Sequence, residues 1–110
     1  MNFLFFITIP LFLFASEKDY QVELCNQLNG VIEYRTIDGS RVDCLTDEYA
    51  IEVEFAKKWK EAIGQALFYG IETNRKPSIA LIIDENDTKY INRLSTVSEK
   101  YEIKVFFINK

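Results

Sequence analysis

The sequence contains no histidine and only two cysteines among 110 residues. The absence of imidazole excludes His-based general bases, His-ligated zinc and Ser-His triads. The two cysteines cannot complete a zinc site, because they supply only two of the four ligands that such a site needs. These three kinds of chemistry are therefore closed to the chain.

The chain also lacks an excess of positive charge. It has 13 Lys and Arg residues against 17 Asp and Glu residues, a formal net charge of −4. A protein that holds nucleic acid by bulk charge is basic, so any such binding here must rely on local lysines and arginines or on a bound metal. The hydrophobic content of 48% is that of a chain with a packed core, and the length suits one small domain.

The first fifteen residues, MNFLFFITIPLFLFA, form an apolar run that is too short to span a bilayer comfortably. We interpret residues 1–15 as a signal peptide and residues 16–110 as a single exported domain, periplasmic or secreted, with no stable membrane association after cleavage. An uncleaved anchor and an N-terminal strand are the alternatives. In an exported chain Cys25 and Cys44 predict a disulfide, whereas in the cytosol they would be buried free thiols.

The order of hydrophobic patterns after this run predicts an α/β fold. A first helix precedes three strands, VIEYRT, RVDCL and YAIEVEF, which are joined by short turns. A helix over residues 56–73, a buried strand, a further helix capped by Asp87 and a final strand follow. The predicted order is α-β-β-β-α-β core, then an extra C-terminal helix and strand, with a mixed central sheet flanked by helices.

Three carboxylates are expected to meet on the second and third strands of this core. Glu52 and Glu54 share one face of their strand because side chains alternate, and Asp43 on the preceding strand falls roughly level with Glu52. Three unneutralised carboxylates repel one another, and Mg²⁺ or Mn²⁺ would relieve the repulsion with oxygen ligands. The alternative is a strand face that is simply solvated.

The helix after these strands carries Lys58, Gln65 and Tyr69 along one edge. An ammonium, an amide and a phenol at this spacing fit a site, although an ordinary amphipathic boundary has the same composition. Lys57 and Lys60 are interpreted as surface charges or weak phosphate contacts.

Taken together, RVD, AIEVE and GQALFY resemble the PD-(D/E)XK, or restriction-endonuclease-like, nuclease superfamily. The resemblance implies an α-β-β-β-α-β core that binds Mg²⁺ through Asp43 and Glu52, and Gln65 with Tyr69 is similar to the Q-x-x-x-Y helix motif of one branch. Members tend to carry an acid in the first helix, for which Glu17 is the candidate. Glu54 stands where the family has its lysine, so Lys58 would have to replace that lysine.

The resemblance implies a Mg²⁺-dependent endonuclease or exonuclease, a hydrolase that cuts DNA or RNA with little sequence specificity. In this hypothesis Asp43, Glu52 and Glu54 hold the metal, Lys58 offsets charge in the transition state, and Gln65 and Tyr69 support the site. The candidate phosphate contacts are Arg35, Arg41, Lys57 and Lys60. A non-catalytic exported binding module on the same scaffold and a metal-binding structural module are the alternatives, and the oligomeric state is open.

Overall fold

The fold was analysed in a computed structural model that describes residues 5–8 and 15–110. It contains six strands, β1 (Phe5–Thr8), β2 (Val31–Arg35), β3 (Arg41–Leu45), β4 (Tyr49–Phe55), β5 (Lys76–Ile83) and β6 (Lys104–Asn109). Its helices are α1 (Glu17–Gln27), α2 (Trp59–Thr73) and α3 (Thr88–Tyr101), and a 3-10 turn over Ala56–Lys58 leads into α2. After β1, the order of elements is the predicted one.

The strands form one mixed sheet in the order β1-β6-β5-β4-β3-β2. β4, β5, β6 and β1 run parallel, whereas β2–β3 and β3–β4 are antiparallel pairs. The parallel strands β4, β5 and β6 are joined through α2 and α3, as parallel neighbours require. The predicted α/β class, with a mixed sheet and helices on both faces, is confirmed.

Each face of the sheet has its own apolar core because side chains alternate along the strands. One core joins α1 to β4, β5 and β6 and includes Leu24, Val53 and Ile82. The opposite core joins α2 and α3 to β5 and β6 and includes Ala66 and Leu81. The unbroken apolar run of β5 is thus explained by burial on both faces.

The predicted signal peptide contains β1, which pairs in parallel with β6 from Phe5 opposite Phe106 to Thr8 opposite Asn109. This strand agrees with the N-terminal strand that the sequence left as an alternative, and the residues that the structure describes give no support to a signal peptide. Residues 1–4 and 9–14 of the predicted leader lie outside the described residues. Among the residues that are described, no helix is long and apolar enough to cross a membrane.

The cysteines are joined as predicted, in a disulfide between Cys25 on α1 and Cys44 on β3. Both are fully buried, and the bridge ties α1 to the back of the strand that carries Asp43. Gly30 is required here for space rather than for a turn. A Cβ atom at this position would lie 2.8 Å from Cys25 Sγ and closer still to Cys44 Sγ, while the left-handed backbone at the end of α1 belongs to Asn29, with a φ of 55°.

Asp87 corrects one detail of the sequence analysis. It directly precedes α3, but its side chain does not cap that helix. Asp87 Oδ2 instead accepts a hydrogen bond of 2.9 Å from the backbone N–H of Asp84. The carboxylate therefore closes the loop between β5 and α3.

Candidate carboxyl site at a strand fork

β3 and β4 pair only through Cys44 with Ile51 and Leu45 with Ala50. At the next position the strands separate, and the side chain of Asp43 occupies the gap. Its Oδ2 accepts a hydrogen bond of 2.8 Å from Val53 N–H, a backbone donor of the neighbouring strand. The fork therefore replaces a backbone ladder contact with a side-chain contact.

Gln21 of α1 satisfies a further backbone group of the fork, the carbonyl of Asp43. Gln21 is 4% exposed, and its Nε2 donates a hydrogen bond of 2.9 Å to the carbonyl oxygen of Asp43. Sequence reasoning missed this residue. Its spacing of three and four positions from Leu24 and Cys25 places it on the buried face of α1, and that was the available signal.

The fork brings the predicted acids together. Asp43 shares a hydrogen bond with Glu52, and Glu17 shares one with Glu54. Glu52 and Glu54 are 5% and 8% exposed, so their charged forms are poorly solvated. The structure therefore brings the side chains of Asp43, Glu52 and Glu54 close together, as the sequence predicts. Glu17 of α1 lies beside them.

Burial controls the protonation of this cluster. It raises the pKa of Glu52 to about 10, with further contributions from the hydrogen bond to Asp43 and from the charges of Asp43 and Glu54. Burial also raises the pKa of Asp43 above its usual range, although the hydrogen bonds from Glu52 and from Val53 N–H oppose that shift. A proton held by Glu52 and shared with Asp43 removes part of the repulsion expected between the carboxylates.

Glu17 of α1 also has a raised pKa, and burial is again the largest cause. Burial, followed by the hydrogen bond and the charge of Glu54, raises the pKa of Glu17 to about 7, while the charge of Lys58 lowers it. The influence of Lys58 thus falls on Glu17, and Lys58 itself is exposed in the 3-10 turn that precedes α2. Replacement of the nuclease family's lysine by Lys58 therefore stays a prediction.

Tyr69 borders the cluster, and Gln65 reaches it only through Tyr69. The Tyr69 hydroxyl donates a hydrogen bond to Gln65 Oε1. Burial and the charges of Glu52 and Asp43 raise the pKa of Tyr69 to about 12. Tyr69 is buried and packs with Val42 and Ala50, whereas Gln65 is exposed.

The predicted phosphate contacts do not form one group. Arg35 and Arg41 lie opposite each other on the β2–β3 hairpin. Lys60 lies over the ring of Trp59, with Nζ 5.7 Å from the ring centroid. Lys57 lines a separate cavity beside α3.

The residues of the fork do not fit the predicted metal centre. Within residues 15–110 and the short described strand β1, no group of three or more Asp, Glu, His or Cys side chains is arranged to hold a metal ion. The acids instead meet as two hydrogen-bonded pairs. Binding of Mg²⁺ or Mn²⁺ consequently finds no support in this geometry.

Fold and site together define a small α/β domain with proton-sharing carboxyl pairs at a strand fork. The chain is similar to three proteins of Acanthamoeba polyphaga mimivirus that bear the name putative KilA-N domain-containing protein. The first is 38% identical over 89 residues, 79% of this chain and 24% of the relative. The second is 32% identical over 96 residues, 87% of this chain and 38% of the relative, and the third is 34% identical over 92 residues, 84% of this chain and 24% of the relative.

The chain therefore spans between about a quarter and two fifths of the length of these relatives. No family model and no solved structure matches it. The relatives are named for a KilA-N domain and not as nucleases, and this finding overturns the interpretation of the chain as a nuclease or hydrolase. The accompanying predictions of a magnesium or other metal site and of a signal peptide are corrected with it. The predicted location outside the cell stays a prediction.

Proposed function

We propose that the chain is a non-catalytic nucleic-acid-binding module, and that the β2–β3 hairpin makes the main contact with the phosphate backbone. The observation that carries this proposal is the cross-strand pair of Arg35 and Arg41. Like charges directly opposite each other on antiparallel strands are destabilising, so their placement calls for an anionic partner. Both side chains are exposed.

The hairpin has further properties of a nucleic-acid contact. Its tip is exposed, with Ile37 wholly open to solvent, and Tyr34 beside Arg35 is 42% exposed. Glu33 only partly neutralises the arginines, because its carboxylate lies 4.0 Å from Arg41 and 2.6 Å from Lys18. A two-stranded ribbon with two arginines can enter a groove of the duplex and contact phosphates.

The relatives are consistent with a role other than catalysis, since they are named for a KilA-N domain and not for an enzymatic activity. A role without catalysis agrees with Glu54 at the position where the nuclease family has its lysine. In such a module the carboxyl pairs of the fork hold α1 and the sheet together.

The test is the binding of labelled duplex and single-stranded DNA to the full chain, measured by fluorescence polarisation across a range of salt concentrations. Replacing both arginines, Arg35→Ala with Arg41→Ala, should weaken binding and reduce the slope of log K against log salt by about 1.8, the value for two lost phosphate contacts. The matched control is Arg93→Ala with Lys100→Ala on α3, which removes the same charge from exposed positions. Equal losses in the two double variants would overturn the proposal.

The same samples test the absence of catalysis. After incubation with Mg²⁺ or Mn²⁺, plasmid DNA and RNA should remain intact with the wild-type protein. Metal-dependent cutting that disappears in Asp43→Asn would contradict the non-catalytic assignment. It would leave the role of the hairpin in binding to be judged from the polarisation data alone.

A further inference from the structure

A cavity of about 440 Å³ opens at the carboxyl ends of the parallel strands, and no residue of the β2–β3 hairpin is among its lining residues. Its lining comes from the end of β4 and the turn after it, from the start of α3 with the loop before it, and from the residue after β6. The lining residues are Phe55, Ala56, Lys57, Asn86, Asp87, Lys89, Tyr90 and Lys110. The volume lies in the range of small-molecule sites, and the ends of parallel strands are where α/β sheets bind ligands.

The charge of this cavity is opposite to that of the chain. Three lysines and one aspartate line it, a net charge of +2, whereas the whole chain carries −4. Asp87 is already engaged, because its Oδ2 accepts the hydrogen bond from Asp84 N–H. Lys57 and Lys89 form no ion pair with any described residue. Two ammonium groups are therefore available to an anion.

Two aromatic rings, those of Phe55 and Tyr90, line the cavity. Lys89 Nζ lies 5.0 Å from the centroid of the Tyr90 ring, and Lys110 Nζ lies 5.2 Å from that of Phe55. Lys110 is also held by Asp84, 3.3 Å from its Oδ2. Exposed cation–π contacts are weak, so a planar ligand can take the place of a lysine on a ring while that lysine turns to an anionic group.

We propose that this cavity binds a nucleotide, with its phosphate between Lys57 and Lys89 and its base against Tyr90. The lining residues Lys89 and Tyr90 belong to the first turn of α3, and the N-terminal end of a helix dipole favours an anion. Asn86 supplies an amide that can donate to or accept from a base edge. A free mononucleotide and the terminal nucleotide of a strand present the same chemistry, and only the second source rests on the proposed function.

The test compares ligands that differ by one feature, using calorimetry on the full chain. Thymidine monophosphate should bind about tenfold more tightly than thymidine, and also about tenfold more tightly than inorganic phosphate, since each lacks one half of the recognised group. Changes in the ring signals of Tyr90, followed by NMR, should accompany binding. Equal affinity for the nucleotide and inorganic phosphate would overturn the proposal, as would equal affinity for the nucleotide and thymidine.

The double variant Lys57→Ala with Lys89→Ala should lose about tenfold in affinity for thymidine monophosphate. Arg93→Ala with Lys100→Ala removes the same charge elsewhere and should bind as the wild type does. If this control loses as much, the attraction is only a general effect of charge and the cavity is not the site.

Oligothymidylates with and without a 5′ phosphate distinguish the two sources. Tighter binding of the phosphorylated strand, abolished by the Lys57 and Lys89 changes, would assign the cavity to strand ends, whereas binding of the mononucleotide alone would assign it to free nucleotides. Either result supports the site. The Arg35 and Arg41 variant should keep its affinity for the mononucleotide, so failure of the hairpin proposal and failure of this one are separable.

Discussion

In the parallel half of the sheet, β4 pairs with β5 and β5 with β6 along almost their whole lengths. In the antiparallel half, β3 pairs with β4 at two positions before the strands separate. The first half is stabilised by apolar side chains packed on both faces, and the second has, beside its own apolar contacts, a disulfide and side-chain hydrogen bonds to backbone groups. The comparison indicates that burial alone maintains the regular half, while the forked half also depends on a few individual contacts.

The largest effect is expected in the parallel half. Leu81 of β5 is fully buried, so Leu81→Ala should lower the free energy of unfolding by about 4 kcal/mol through lost burial and the cavity left behind. Urea denaturation measures the change. Leu67→Ala on α2, where the side chain is 37% exposed, is the control and should cost less than about 1 kcal/mol. Similar losses would mean that burial does not separate the two positions.

Loss of the disulfide should be the next largest effect and should be local. Cys25→Ala with Cys44→Ala removes a bridge with a sequence separation of 19 residues, worth about 3 kcal/mol. Hydrogen exchange should accelerate more in α1 and β3 than in β5 and β6, because local opening in the first two elements adds to the loss of global stability. A uniform acceleration over all strands would show that the two halves do not differ in this way.

The carboxyl pairs predict an unusual dependence of stability on pH. The fold raises the pKa of Glu17 from its ordinary value of 4.5 to about 7 and that of Glu52 from 4.5 to about 10. Between the ordinary and the raised values, the folded state binds more protons than the unfolded state. The free energy of unfolding should therefore fall as pH rises from about 5 to 8, by at least about 1.4 kcal/mol, the value of one pKa unit.

Glu52→Gln is the matched variant for this pH experiment. It keeps the shape and removes the titration, so it should flatten the pH dependence and stabilise the protein at the alkaline end. Thermal melts at a series of pH values measure both effects. A wild-type stability that rises over this interval would contradict the assignment of a shared proton.

A smaller effect is expected at Gln21. Gln21→Leu leaves the carbonyl of Asp43 without its donor, at a cost of about 1–2 kcal/mol for an unsatisfied buried group. The control is Gln27→Leu, since the side chain of Gln27 donates to that of Glu23 on the exposed surface. If both variants unfold at the same urea concentration, the fork does not depend on Gln21.

The smallest effect lies again in the parallel half. Ser78 Oγ of β5 is buried and has no hydrogen-bond partner among the described residues. Ser78→Ala should therefore leave stability unchanged or raise it by up to about 1 kcal/mol. Calorimetric melting measures this, and a clear loss of stability would reveal a partner for the hydroxyl.

Local patterns in the sequence were sufficient for most of the fold. The apolar run of β5, the turn at Asp38 and Gly39 and the periodicity of α2 each specify an element, and the order of the elements then limits the topology. The proximity of Asp43 and Glu52 on neighbouring strands could be predicted from the alternation of side chains and the short turn between the strands. The disulfide was predicted on the premise of an exported chain, and the structure joins the same two cysteines.

What could not be predicted depends on contacts between distant segments. Gln21 meets Asp43 only because α1 packs over a fork, and Glu33 adopts a left-handed φ of 53° within β2 although strand patterns do not signal it. The position of Lys58 depends on the 3-10 turn before α2. The lysine-lined cavity joins Lys57, Lys89 and Lys110, which no local motif connects.

The central claim is that carboxyl groups of the fork share protons and do not bind a metal. Carbon-13 NMR of the side-chain carboxyls, recorded across pH with and without Mg²⁺, tests it most directly. We expect the Glu52 carboxyl to remain protonated at neutral pH, with a midpoint near its pKa of about 10 and no change on adding Mg²⁺. Ionised Asp43 and Glu52 at neutral pH, with signals that shift together when Mg²⁺ is added, would contradict the account.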